Sequence, residues 1–187
     1  GGWGACKGHD GQVGLFCVGD GETYNVPVEM AETRYGIRVD EHSLHTDGAG
    51  AGEYRGGSGA VRVYRSMNEN QTFTASFGRN KWPVWGAAGG KDGSVNYFQF
   101  IDADGTVSEP MGIAARRVMN TNDVVRMVTA TGGGYGNPFK RPAEKVAMDV
   151  KNEYITVEQA KADYGVLVDP ETFKVLGLTE ERQKAEK

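Results

Sequence analysis

Hydrophobic side chains along this sequence come in short bursts, and nearly every burst closes on glycine or a turn former. Val13 to Val18 is an apolar run of strand length. Ile37 to Leu44 alternates, with Ile37 and Val39 toward one face and Arg38 and Asp40 toward the other, the pattern of a half-buried strand. Ala60 to Met67 and Gln71 to Phe77 are also alternating segments, and Asn68-Glu69-Asn70 between them predicts a hairpin. Val95 to Asp102 reads as a further strand, followed by the turn pair Asp104-Gly105. Val124 to Thr131 reads as the last main strand and runs straight into Gly132-Gly133-Gly134.

Helical signals are fewer. Pro27 opens a short helix through Thr33, which Gly36 ends. Beyond Pro138 glycine thins out and helix formers fill Pro142 to Asn152. Thr156 with Gln159 makes a capping box, and Gly165 stops that helix. Val166 to Val168 and Phe173 to Leu176 predict a small hairpin, and the charged stretch Thr179 to Lys187 reads as a solvated helix or frayed end. The change of style divides the chain into a glycine-rich β domain at 1–138 and a helical C-terminal extension at 139–187 packed on it. The expected fold is mainly β with short C-terminal helices (α+β), an antiparallel β-sandwich or barrel-like domain with long glycine-rich loops.

Composition sharpens one part of this picture. Twenty-eight of 187 residues are glycine, double the usual share of about 7%. With six prolines and no Gly-X-Y period the chain is not collagen-like, so the glycines belong to shaped loops such as Thr46 to Gly59 and Gly86 to Gly93. Packing of such a loop against a neighbouring chain is the expected use. A formal net charge of −4 argues against a nucleic-acid surface. No apolar stretch approaches the roughly 20 residues that span a bilayer, and no signal-peptide pattern is present, so the expected location is cytoplasmic, away from membranes. The opening Gly1-Gly2-Trp3-Gly4-Ala5 reads like the middle of a polypeptide, a fragment or processed piece. Cys6 and Cys17 read as a pair or, in a reducing compartment, as two idle thiols.

Candidate chemistry is sparse. His42 and His45 have HxxH spacing, but residues three apart on a strand point to opposite faces, so with His9 they make a metal site only if the backbone turns there. The glycine runs suggest a phosphate cradle, yet GxxxxGK[ST] is missing and no dinucleotide fingerprint is matched. Glu29, Glu32 and Arg34 are either acid and base on one helix face or ordinary surface charge. Trp82 and Trp85 are core or interface anchors, or a ligand cage. Asn70-Gln71-Thr72 fits an N-glycosylation acceptor, without consequence in a protein that is not secreted.

Several blocks in fixed order carry more information than any one of them. They are Gly2-Trp3-Gly4-Ala5 with Asp10-Gly11, the stretch Glu22 to Glu29, Arg34-Tyr35-Gly36, the stretch Gly50 to Gly59, Pro83-Val84-Trp85-Gly86, and Gly132 to Pro138, closed by the Val157 to Gly165 helix. Together they resemble the C-terminal part of the hydantoinase B and oxoprolinase family over nearly the whole chain. The resemblance implies one subunit of a two-component, ATP-dependent enzyme. A hydantoinase A-like partner binds ATP with Mg and phosphorylates a carbonyl oxygen, and the B-type subunit completes either hydrolysis of a cyclic amide or, in acetone and acetophenone carboxylase relatives, carboxylation of a ketone. Phosphorylation turns a resonance-stabilised oxygen into a leaving group. By the same resemblance a divalent metal belongs to the N-terminal remainder of the B-type subunit, this chain binds no cofactor or metal, and it is inactive in isolation. Polar residues inside the matching blocks are the candidate site residues: Asn25, Glu29, Arg34, Arg55 and Tyr135. The rival expectation is a stand-alone assembly or regulatory module of the same ancestry.

Overall fold

The computed structural model describes residues 1–15 and 26–185. Helix α1 (Val28–Tyr35) follows Pro27 and ends on Gly36, whose left-handed backbone (φ 62°, ψ 33°) favours a residue without Cβ. The chain then enters β1 (Ile37–His45), where Ile37 and Val39 are more buried than Arg38, as the alternation predicts. β1 pairs with β2 (Gly59–Ser66), β2 with β6 (Val124–Val128), and β6 with β4 (Tyr97–Ile101), all antiparallel.

The predicted hairpin between β2 and β3 (Gln71–Ser76) does not form. Both edges of β2 are already taken by β1 and β6, so β3 leaves the sheet and pairs with β5 (Ile113–Met119) in a second layer. The turn at 68–70 serves this crossover. Ser66 donates from Oγ to the Gln71 side-chain oxygen (2.6 Å), and Gln71 donates from Nε2 to the Tyr35 carbonyl (2.9 Å), fastening the crossing to α1. The period-2 pattern of β4 shows why two layers are needed. Phe98 and Phe100 face β3 and β5 with Val125 and Met119, whereas Tyr97 and Ile101 pack with Val61, Val63, Val124 and Val128 on the other face. Phe73, Phe98 and Phe100 meet edge to face at centroid distances of 5.4–5.8 Å. The sheets are open, and the barrel alternative is not realised.

After a short 3₁₀ turn (Pro138–Lys140) come α2 (Ala143–Lys151), α3 (Val157–Tyr164), the paired strands β7 (Val166–Val168) and β8 (Val175–Leu178), and α4 (Glu180–Ala185). Val146, Val150, Ala160, Tyr164, Val166 and Val168 form one core, joined by Ala51 from the glycine-rich part. The tail is less solvated than its composition predicts, since Arg182 of α4 is buried and donates to the carbonyls of Tyr164 and Arg141. The strand predicted at Val13 to Val18 falls partly outside the described residues. No helix among those described is long and apolar enough to cross a membrane.

The capping box of α3 is fully made: Thr156 Oγ1 accepts from the Gln159 N–H, and the Gln159 side chain accepts from the Thr156 N–H. Thr156→Ala removes the first of these bonds, and urea denaturation is expected to show a loss of about 1 kcal/mol. An unchanged midpoint would mean that packing of Ala160 and Tyr164 alone holds the helix.

Candidate functional site

The glycine-rich segments do not hang free as loops; they pack on one another within the chain. Segment 130–136 runs through the middle. It accepts from Gly2 at Ala130 and from Ala5 at Gly133, and it exchanges bonds with 50–58 through Gly50, Gly57 and the Tyr54 and Tyr135 pair. It also exchanges bonds with 84–93 through Ala87 and Lys91. A sheet strand has two hydrogen-bonded neighbours, whereas this segment has three, which is possible only if side chains are absent between them. An added Cβ on Gly56, Gly57, Gly132 or Gly134 would run into neighbouring backbone. The N–H groups of Gly50, Gly56, Gly57, Gly132, Gly134 and Gly136 are all given to carbonyls, so they do not point at an anion as a phosphate cradle requires.

A buried ion network locks the C-terminal elements onto this bundle. Arg141, 2% exposed, donates to both oxygens of Asp10 (2.7 and 2.9 Å), to Asp149 of α2 (2.9 Å from Nε) and to the Glu53 carbonyl (3.1 Å). Arg55 is also buried. Its backbone N–H reaches Asp10 (2.7 Å), and its guanidinium lies 3.5 Å from Asp149 and 4.3 Å from the centroid of the Tyr154 ring. Burial works against the charge on Arg141, but its hydrogen bonds to Asp10 and the charges of Asp149 and Asp10 more than offset it, so the guanidinium stays ionised. For Asp10 the burial cost is outweighed by Arg141 and by the Arg55 N–H, which hold its carboxyl below the usual range. Burial pushes the Asp149 carboxyl up against the pull of both arginines, and it pushes the Tyr164 phenol up as well.

A concave site lies elsewhere, under α1. A cavity of about 540 Å³ opens between α1, β1, β2 and β3, walled by Val28, Ala31, Ile37, Val39 and Phe73, with Tyr64, Ser66 and Gln71 contributing polar atoms. That size suits a small molecule, and the walls suit its apolar part. Ser66 and Gln71 satisfy each other, and Arg65 is paired with Asp40, so the polar rim is largely committed.

The candidate residues do not gather at one place. Glu29 and Arg34 are exposed on α1 and do not line the cavity beneath it. Arg55 faces Asp149 and Tyr154 in the interior, where it holds structure. Tyr135 is half-buried in the bundle, with its backbone paired to Tyr54 and Ala87. Asn25 lies outside the described residues. His45 shares a hydrogen bond with the Thr129 carbonyl (2.9 Å) while His42 is exposed, and no group of three or more His, Cys, Asp or Glu side chains among the described residues has metal-site geometry. Trp82 and Trp85 are 79% and 69% exposed, so they are not core.

The residues that sequence reasoning passed over are Asp10, Arg141 and Asp149. A signal was present in α2, where Asp149 stands beside Val146 and Val150 on the buried stripe. A carboxylate on an apolar helix face calls for a buried cation.

Residues 1–138 match the family model described as Hydantoinase B/oxoprolinase. The β subunit of caprolactamase from Pseudomonas jessenii is 30% identical over 184 residues, 90% of this chain and 28% of that protein. The crystal structure of ATP-dependent caprolactamase from Pseudomonas jessenii superposes with a TM-score of 0.75 and 30% identity over 98% of this chain and 32% of the solved one. A nucleotide-free acetone carboxylase structure gives a TM-score of 0.77 at 18% identity, covering 98% of this chain and 28% of the other, a likeness of fold alone. The chain thus spans about a quarter of the length of the curated relatives it matches.

Proposed function

The chain belongs to the hydantoinase B/oxoprolinase family, and from that membership we propose that it is the C-terminal domain of the B-type subunit of a cytoplasmic, ATP-dependent cyclic-amide hydrolase. The observation that carries this reading is the 30% identity to the caprolactamase β subunit along 90% of the chain. It also favours hydrolysis over ketone carboxylation, because the acetone carboxylase likeness, at 18% identity, carries no chemistry.

In this reading an A-type partner holds ATP and Mg and transfers the γ-phosphoryl group to the amide oxygen. The remainder of the B-type subunit holds a divalent metal. Water then adds to the phosphorylated carbon, the ring nitrogen departs as the amine and opens the ring, and hydrolysis of the resulting acyl phosphate releases phosphate and the carboxylate. This chain supplies a rigid support. The N–H groups of Gly50, Gly56, Gly57, Gly132, Gly134 and Gly136 are spent on carbonyls, and Asp10, Arg55, Arg141 and Asp149 are paired with one another, which supports assigning nucleotide and metal to the A-type partner and to the remainder of the B-type subunit. Asn25, Glu29, Arg34 and Tyr135 are the residues offered toward the shared site, with Arg55 acting from the interior through its hold on Asp149 and Tyr154.

The test is turnover by the assembly of this chain with the rest of the B-type subunit and the A-type partner. Cyclic amides are expected to stimulate ADP release, with ring-opened amino acid formed in step. Stimulation by ketone plus bicarbonate in their place would make the protein a carboxylase subunit, and no stimulation by either would leave an assembly module. Alanine at Glu29, Arg34 or Tyr135 that leaves turnover unchanged removes that residue from the site.

A further inference from the structure

The cavity under α1 carries a charge that apolar packing does not call for. Period 2 divides β2 between two environments. Val61 and Val63 pack with Val124 and Val128, whereas Tyr64 packs on the opposite face with Phe73, Met119 and Val125. Arg62 belongs to the Tyr64 face, so it lines the cavity between the two layers, with its guanidinium 5.6 Å from the Tyr64 ring centroid. A cation on that face is costly unless something there uses it. Among the described residues of the cavity wall the charged side chains are Arg62 and Arg65, and no carboxylate stands with them. Arg65 is held by Asp40 and by the Asn122 carbonyl, and Asp40 also holds Arg38. Glu32 of α1 is engaged as well, accepting from the Val39 N–H (3.0 Å).

The cavity thus offers a positive end and a long apolar wall, with hydroxyl groups from Tyr64 and Thr72 beside them. Its volume of about 540 Å³ falls within the roughly 300–1,000 Å³ of small-molecule pockets. We propose that it binds a small monocarboxylate with an apolar body, an alkyl or aryl-alkyl acid, with the carboxylate on Arg62 and the apolar part along Ala31, Val39 and Phe73. A guanidinium has five N–H donors in a planar fork, so Arg62 can grip both carboxylate oxygens and still keep contacts within the fold. An ω-amino acid of the same length is disfavoured, because its ammonium would be placed against apolar wall with no carboxylate to receive it. The inference rests on the cavity and its charge, and it does not depend on the reaction assigned to the B-type subunit.

Isothermal titration of the full chain with octanoate, octanol, ω-aminooctanoate and hexanoate tests it without relying on activity. Octanoate is expected to bind, with octanol and ω-aminooctanoate at least about tenfold weaker. Hexanoate, two methylenes shorter, should also be about tenfold weaker than octanoate. Arg62→Gln should lower octanoate affinity at least about tenfold and leave octanol unchanged, and Arg62→Lys should keep part of the difference. Methyl NMR signals of Val39 and Met119 are expected to shift during the octanoate titration while those of Val146, in the C-terminal core, stay in place. No binding of octanoate, equal affinity for octanoate and octanol, or shifts that spare Val39 and Met119 each overturn the proposal. Should Arg62→Gln not fold, Ala31→Leu narrows the cavity from α1 with Arg62 in place, and octanoate binding that it leaves unchanged overturns the proposal equally.

Discussion

Alanine at Gly132 is expected to leave a chain that does not close its glycine bundle. An added Cβ would sit 2.8 Å from the Gly4 nitrogen and closer still to the Trp3 carbonyl; both are backbone atoms, and the Trp3 carbonyl already accepts from the Gly57 N–H. Gly132 itself donates to Gly57 and accepts from Gly50, so moving its strand aside breaks contacts with two segments at once. Overpacking a side-chain core costs about 1–3 kcal/mol because side chains give way. Here the obstacles are main chain, and the loss is expected at or above about 3 kcal/mol, a large part of a typical margin of roughly 5–15 kcal/mol. Gly78→Ala is the control, because a Cβ there meets nothing within 4 Å. Its stability should stay within about 0.5 kcal/mol of the parent. Thermal and urea unfolding of the two variants decide the matter, and a Gly132→Ala chain as stable as Gly78→Ala would mean that the segments are not in close contact in solution.

The two glycines also mark the limit of what could be read without a structure. Local chemistry was legible wherever one element settles it: the Gly36 and Gly165 caps, the Thr156 capping box and the alternation of β1 all follow from neighbouring residues. Pairing was not. Asn68-Glu69-Asn70 has hairpin composition, but whether β3 pairs with β2 depends on β6 occupying the edge, a fact held some 60 residues away along the chain. β5 escaped notice because Arg116, with φ 50°, and Arg117 interrupt its apolar pattern where the register with β3 shifts. Glycine richness was visible, but its purpose was not, since the close approach of Gly132 to Trp3 joins residues from the two ends of the domain. The candidate site residues were chosen for polarity within matching blocks, and polarity alone does not separate Arg55, which is spent on Asp149, from Glu29, which faces solvent.

Removing the cation at the centre of the ion network is expected to detach the C-terminal elements from the bundle. Arg141→Met keeps the apolar stem but strands Asp10 and Asp149, which together accept three hydrogen bonds from the Arg141 guanidinium, with a further ion-pair contact of 2.8 Å from Nη2 to Asp149. Breaking a buried pair from one side costs about 3–5 kcal/mol, because the remaining charge has lost its solvent and its partner. The variant should unfold earlier in urea, and limited proteolysis should cut first between Pro138 and Asn152, where α2 depends on Asp149 to hold its buried face. Acid should narrow the difference. The folded Asp10 carboxyl is held below its ordinary range, so its pairing contributes fully above the unfolded value of about 3.9 and fades as pH falls through the lower folded value. Parent and variant midpoints are therefore expected to lie furthest apart near neutrality and to converge below about pH 4. Arg141→Met combined with Asp149→Leu should recover part of the loss, since an apolar pair of matching size leaves one fewer buried charge. A double variant no better than the single one would place the essential contact at Asp10, and the network would then act chiefly as a clasp between the first glycine segment and the turn that follows Pro138.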